Sequence, residues 1–413
     1  MIIELPKPLI AAILDQHRVA EAPHDFYRYP ARFSPAFARE AIKAFTNSGD
    51  LVFDPFCGGG TTLVEAISLG RRTVGMDINS LAIFLARTKT TPLSSRDIKA
   101  LIAWADLLED EIELNSESQF RFFGRSTDEY YVRNLPIEAK RSCFLLLERL
   151  SLLASLRQRA FARLILLATG QWALDCKQVT PSSRDICSEF CRRLRLSLSS
   201  YDSFLSDISE SGSMMRSALS RTRRVINRSS EFADRDRRIP VEWLPAKLIL
   251  TSPPYPGMHV VYHRWQILGR KETPAPFLFA GSKDGAGESH YLLGPRAEPG
   301  LVTYYTRLKR AFRALSSLVN DDSMVVQLVA FSDTSWQLPA YLQTLEDAGF
   351  VEAEIVGDSA ELYEGRLWRH VPGRKWYASR KGDIGASKEV LLIHTPAKRQ
   401  FSRQSRLDFA QRE

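Results

Sequence analysis

The sequence predicts an α/β fold: a mostly parallel sheet with helices on both faces, interrupted by a largely helical insertion. Residues 51–66 read as a short apolar strand, a glycine turn and the opening of a helix, and Thr73–Asp77 follows as a second strand. The apolar run Lys247–Leu250 ends in a turn with two consecutive prolines, as a buried strand does when it delivers a loop to the edge of a sheet. Between them, residues 96–240 are leucine-rich at helical spacing, without strands of comparable clarity.

In chain order, residues 1–50 read as largely helical with a loop at 20–35, and 51–95 as strand, helix, strand, helix. Phe144–Leu153 and Phe161–Leu174 are the clearest helices of the insertion. The core resumes at 241; Tyr304–Leu318 is an amphipathic helix leading to the buried strand Met324–Phe331. Leu338–Ala348 makes a helix that Gly349 ends, and Val351–Val356 and Glu389–His394 read as closing strands. The expected division is therefore a first core part at 1–95, the insertion at 96–240, a second core part at 241–397 and a basic tail at 398–413. No internal repeat is visible.

A chain of 413 residues with 44% hydrophobic residues supports a large core, with one domain plus an insertion or two domains. No stretch is apolar enough to span a bilayer, and the first residues lack the pattern of a secretory signal. Five cysteines make an odd set with no disulfide framework, so the expected compartment is a reducing cytoplasm. The net charge of +8 favours a polyanionic partner. Arg221, Arg223, Arg224, Arg228, Arg235, Arg237 and Arg238 face only Glu231, Asp234 and Asp236 in the same stretch, a cluster suited to phosphates or to a solvated surface.

The chemistry is carried by two short segments. In Asp54-Pro55-Phe56-Cys57-Gly58-Gly59-Gly60-Thr61-Thr62, Gly58 and Gly60 allow backbone angles closed to other residues, and Thr61 and Thr62 are expected helix caps. Asp77, closing the next strand, stands where an acid accepts hydrogen bonds from ribose hydroxyls. The same pattern occurs in dinucleotide-binding domains, although the third glycine of that spacing is missing. In Ser252-Pro253-Pro254-Tyr255 the prolines stiffen the turn, leaving backbone carbonyls as acceptors beside an aromatic face. Such a pocket suits an exocyclic amine on a flat ring; alone, the tetrapeptide is equally a rigid strand-to-loop connection.

Together the two segments resemble the S-adenosylmethionine-dependent amino-methyltransferases of DNA, whose cofactor loop reads Asp-Pro-Phe-x-Gly-x-Gly-Thr and whose catalytic loop ends in Pro-Pro-Tyr. Tyr29-Pro30-Ala31-Arg32-Phe33-Ser34-Pro35 resembles the family segment that closes over the methionine end of the ligand, and Asp77-Ile78-Asn79 its second motif. The resemblance covers residues 24–95 and 241–396 and implies a class I, Rossmann-like methyltransferase fold. By the same resemblance Tyr29, Pro30, Asp54, Pro55, Phe56, Gly58, Gly60, Thr61, Asp77 and Ile78 hold the cofactor, and Ser252, Pro253, Pro254 and Tyr255 are catalytic.

The implied activity is site-specific methylation of a flipped base in double-stranded DNA. The serine form of the catalytic loop is usual for cytosine N4. Adenine N6, an RNA target and a non-catalytic nucleic-acid-binding module stay open. Arg221, Arg223, Arg224, Arg228, His259 and Arg264 are the expected DNA contacts, with 96–240 as the first candidate for target recognition and the loop Pro256–Gly300, glycine-rich at 281–287, as the second. The resemblance also implies a prokaryotic, nucleoid-associated setting and a partner restriction or defence nuclease. Carbon-5 methylation needs a proline-cysteine nucleophile loop, and the chain has no such dipeptide. Cys187 and Cys191 lack a companion pair, and His259 and His263 lack the intervening acid of a zincin, so no metal is expected.

Overall fold

The computed structural model describes residues 1–17, 19–29, 32–114, 129–210, 219–256, 264–269, 271–285, 298–370 and 388–397. Its strands are β1 (Ile2–Glu4), β2 (Leu51–Asp54), β3 (Arg72–Asp77), β4 (Arg223–Asn227), β5 (Ala246–Thr251), β6 (Trp265–Ile267), β7 (Lys271–Thr273), β8 (Met324–Val329), β9 (Phe350–Glu352), β10 (Glu354–Val356), β11 (Leu362–Tyr363), β12 (Arg366–His370) and β13 (Lys388–Pro396). The helices are α1 (Lys7–Leu14), α2 (Pro35–Phe45), α3 (Thr61–Ser68), α4 (Ser80–Lys89), α5 (Ser95–Leu114), α6 (Glu129–Val132), α7 (Ile137–Ser151), α8 (Leu156–Leu174), α9 (Ser183–Glu210), α10 (Ala275–Ala280), α11 (Glu298–Ser316) and α12 (Thr334–Glu346).

The main sheet runs β11-β12-β13-β8-β5-β2-β3-β4, with β9 also paired to β13. Pairing is parallel from β4 to β8 and antiparallel on both sides of β13, so of the strands from β4 to β12 only β13 runs against the rest. That order is the class I methyltransferase sheet. It places the switch in winding direction between β2 and β5, whose carboxyl ends therefore open the ligand crevice.

Both faces of the sheet are covered, and the strands alternate accordingly. Val52, Leu248, Leu250, Val326 and Leu328 pack toward α1 and α2. Leu51, Phe53, Ile249, Val325 and Val329 pack toward α11 and α12. A third apolar cluster joins α5, α7, α8 and α9 of the insertion and reaches α4 through Leu81 and Leu85. Among the described helices none is long and apolar enough to cross a membrane.

Three expectations need correction. The amino-terminal region is not helical from its start, because β1 pairs in parallel with β10. Arg223–Asn227, expected within the insertion, is the edge strand β4 of the main sheet, so the core resumes at β4 rather than at 241. The region 256–300 is not one open loop: β6 and β7 form a hairpin and α10 packs on α8. Trp265 and Phe279 close on Gly170 so tightly that a Cβ there would lie 2.5 Å from the indole. The basic tail lies outside the described residues.

Candidate active site

The glycine turn is shaped by what a side chain would strike. Gly60 has φ +83°, and a Cβ on it would lie 2.8 Å from the Ala86 Cα, so its bareness lets α3 and α4 meet. Gly60 itself is the N-cap of α3, without a side-chain cap. The expected caps are thus displaced: Thr61 is buried, and the Thr62 hydroxyl donates to Asp54 Oδ2 at 2.6 Å. Asp54 Oδ1 accepts from Thr251 Oγ1 at 2.7 Å and from the Phe56 N–H at 3.1 Å. Burial raises the Asp54 pKa to about 6 against the pull of these donors. Asp54 is a buried tie between the ends of β2 and β5, followed by Pro55, which is also buried, and Phe56, which is half-buried.

Asp77 ends β3 beside this turn. Its Oδ2 accepts the Gly58 N–H at 3.0 Å and its Oδ1 the Asn79 N–H at 2.8 Å. Burial raises its pKa to about 6. These two donors, with the Ile78 N–H beside them, leave at least one of a carboxylate's four acceptor positions for another ligand. Ile78 next to it is 37% exposed, an apolar surface at the mouth of the crevice. The Asn227 amide fixes this corner from β4, donating to the carbonyls of Asp77 (2.9 Å) and Ile78 (3.0 Å). The Tyr29 ring covers the turn: a Cβ on Gly59 would lie 3.0 Å from the Tyr29 Cβ, and one on Gly58 3.2 Å from its ring. Asn79 Nδ2 reaches the Tyr29 hydroxyl at 3.4 Å. Pro30 lies outside the described residues.

The Ser-Pro-Pro-Tyr loop leaves β5 directly after Thr251, which carries it to within one hydrogen bond of the glycine turn. Ser252 Oγ is 2.9 Å from the Leu328 carbonyl and 3.2 Å from the Tyr255 hydroxyl. Tyr255 donates to Glu389 Oε1 at 2.6 Å, and the other Glu389 oxygen takes Arg369 Nε at 2.8 Å and Nη2 at 2.6 Å. Burial, and then the Glu389 charge, hold the Tyr255 pKa well above that of a free phenol. The Tyr304 hydroxyl donates to the Pro254 carbonyl at 2.8 Å, leaving the Pro253 carbonyl as the other acceptor of the loop. Glu389, Arg369, Tyr304 and Asn227 were not singled out as site residues from the sequence; a lone acid near the head of an otherwise apolar strand was the signal for Glu389.

The expected DNA contacts separate. Arg221 is exposed, and Arg224 lies over the Trp243 ring at 4.6 Å, half-buried. Arg223 is half-buried with Nη2 2.6 Å from Thr91 Oγ1, and burial lowers its pKa to about 10, so part of its donor capacity is already used within the protein. Arg228 pairs with Asp236 at 3.2 Å. Arg264, expected as a DNA contact, is buried against Asp284 (3.0 Å) and the Tyr130 hydroxyl (2.9 Å). His259 lies outside the described residues. Cys187 and Cys191 are apolar packing residues of the insertion. Glu21, His24 and Glu65 bring ligand-type atoms together, but Arg39 already spans Glu65 (2.7 Å) and Glu21 (3.3 Å) and supplies the counter-charge.

Residues 12–87, which hold Tyr29, the glycine turn and Asp77, match the family model described as DNA methylase. The type II methyltransferase M.MjaII of Methanocaldococcus jannaschii is 30% identical over 79 residues, 19% of this chain and 15% of the relative. The type II methyltransferase M.MvaI of Kocuria varians is 34% identical over 86 residues, 20% of this chain and 19% of the relative. The DNA adenine methyltransferase YhdJ of Escherichia coli is 37% identical over 68 residues, 16% of this chain and 23% of the relative. The chain thus matches less than a quarter of the length of each of these curated relatives. Residues 12–87 are thus similar to a segment of DNA methylases.

Proposed function

We propose that this protein is a site-specific DNA methyltransferase acting on the exocyclic amine of a base extruded from the duplex, with cytosine N4 as its target. The observation that carries the reading is the apposition of two independent motifs: the Thr251–Asp54 bond of 2.7 Å brings the Ser-Pro-Pro-Tyr loop beside the glycine turn at the switch point of the sheet. S-adenosylmethionine, when bound, supplies a methyl group activated by a sulfonium. The crevice fits it: Asp77 keeps an acceptor position for a ribose hydroxyl, Ile78 offers an apolar surface for the adenine, and Tyr29 closes the side of the glycine turn.

The chain's own task is to hold the amine. An aromatic amine is a weak nucleophile because its lone pair is delocalised into the ring. Acceptors at Ser252 Oγ and the Pro253 carbonyl, engaging its N–H groups, favour the pyramidal geometry that frees the lone pair, while the Tyr255 ring supports the base. No strong general base is needed, since the nitrogen becomes acidic as it is alkylated and can lose its proton afterwards. A base inside a duplex cannot reach such a crevice, so it must be extruded, at a cost of a few kcal/mol that phosphate contacts offset. Arg221 and Arg224 supply candidate contacts, and the helical insertion with the β6–β7 and α10 segment docked on it supplies the candidate recognition surface.

The adenine-N6 reading is favoured by one observation, the similarity to a relative named as an adenine methyltransferase. Incubation with labelled cofactor and duplex DNA, followed by mass spectrometry of the nucleosides, tests both. N4-methylcytosine is expected, N6-methyladenine would transfer the assignment to the second reading, and unmodified DNA would refute both.

A further inference from the structure

Behind the Ser-Pro-Pro-Tyr loop lies a chain of polar groups that the reaction above does not use. Glu389 on β13 and Arg369 on β12 are each 6% exposed and face one another in register across the two strands. Arg369 puts two N–H groups on Glu389 Oε2 and a third on the Ile13 carbonyl at 3.0 Å, near the end of α1. That leaves Glu389 Oε1 for the Tyr255 hydroxyl at 2.6 Å.

Counting protons gives the chain a direction. A carboxylate paired with a guanidinium only accepts, so the single Tyr255 proton is committed to Glu389. Ser252 has one proton and two neighbours, the Leu328 carbonyl at 2.9 Å and the Tyr255 oxygen at 3.2 Å, and neither has a proton left to give. Whichever of them Ser252 serves, its own proton stays inside the protein and its lone pairs stay open.

We propose that Glu389, locked by Arg369, is a positioning residue that makes Ser252 a hydrogen-bond acceptor and not a donor toward the target amine. The proposal rests on the reading of Ser252–Tyr255 as the base pocket. A serine free to rotate could offer its proton to the amine's lone pair and quench the nucleophile. With the Tyr255 proton committed to Glu389, no donor fills the Ser252 lone pairs, and its own proton has two internal acceptors, the Leu328 carbonyl and the Tyr255 oxygen.

Glu389→Gln tests it, because the amide has the same shape and the opposite polarity. Its oxygen can keep Arg369 while its N–H donates to Tyr255, which turns the tyrosine proton onto Ser252. Single-turnover methyl transfer should fall at least about tenfold with cofactor Kd unchanged. Tyr255→Phe combined with Glu389→Gln should be faster than Glu389→Gln alone, since no hydroxyl remains to fill the serine lone pair. A Glu389 that merely supports the fold makes the double variant as slow or slower, and that result overturns the proposal.

An activity-independent reading comes from carbon-13 at the Cζ of Tyr255, assigned with Tyr255→Phe. In the wild type it should lie downfield of free tyrosine, as for a hydroxyl donating to a carboxylate, and it should move upfield in Glu389→Gln. A wild-type resonance at the free-tyrosine position overturns the proposal without recourse to any variant. A wild type that leaves DNA unmethylated but shows both shifts refutes the DNA reading while upholding the relay.

Discussion

Asp77 is the residue on which the proposed cofactor half of the site turns. Its pKa stands at about 6 instead of 3.8, so the carboxylate is fully formed only above that pH. In the unfolded chain the group ionises first, and the stability it contributes is therefore present at low pH and lost as pH rises from about 4 through 6. Cofactor affinity should follow the opposite course, because ribose hydroxyls need the ionised acceptor. Calorimetric titration should show affinity rising between about pH 5 and pH 7 in the wild type. In Asp77→Asn it should be weaker at about pH 7, by roughly tenfold or more, and flat over the same range. An unchanged Kd in the folded variant would remove Asp77 from the site. Residues of this kind are legible because a motif fixes them within a few positions: Gly58, Gly60, Asp77, Ser252 and Tyr255 all lie at one end of the sheet. Glu389 is not, because its partner Tyr255 is 134 positions away and their meeting depends on β13 entering the sheet in reverse. Thr62 reads as a cap because short-range capping preferences do not register a buried aspartate eight positions earlier.

Among the elements, the strands after which the glycine turn and the proline turn follow are legible as buried apolar runs. β4 is not. In Arg-Arg-Val-Ile-Asn only Ile226 is fully buried, since an edge strand needs little apolar surface, and the arginines draw it into the charged insertion. The docking of the β6–β7 and α10 segment on α8 is equally hidden, because it turns on the absence of a side chain at Gly170. Gly170→Ala would place a Cβ 2.5 Å from Trp265 and 2.6 Å from Phe279. The variant should lose about 1–3 kcal/mol in urea unfolding, with increased hydrogen exchange confined to residues 264–285 and α8. Unaltered exchange in that segment would mean that this packing does not hold it to the insertion.

For the whole molecule, the net charge of +8 predicts a salt-dependent attraction to nucleic acid, but the fold divides the arginine cluster by role. Arg221→Ala with Arg224→Ala should weaken DNA binding and reduce the slope of log K against log salt by about one unit for each phosphate no longer neutralised. Arg223→Ala should leave that slope unchanged and instead lower stability by about 1 kcal/mol by removing its bond to Thr91. Equal slopes in all three proteins would assign the cluster to a solvated surface.

The joining of a cofactor crevice and an amine pocket at the ends of β2 and β5 is tested most directly by quenched single-turnover transfer. Labelled S-adenosylmethionine and duplex DNA are mixed with the wild type or with Ser252→Ala, and the modified nucleoside is read by mass spectrometry. The account predicts N4-methylcytosine from the wild type and a rate about a hundredfold lower in Ser252→Ala, with cofactor affinity retained. Equal rates in the two proteins, or a methyl group at cytosine C5, would contradict it.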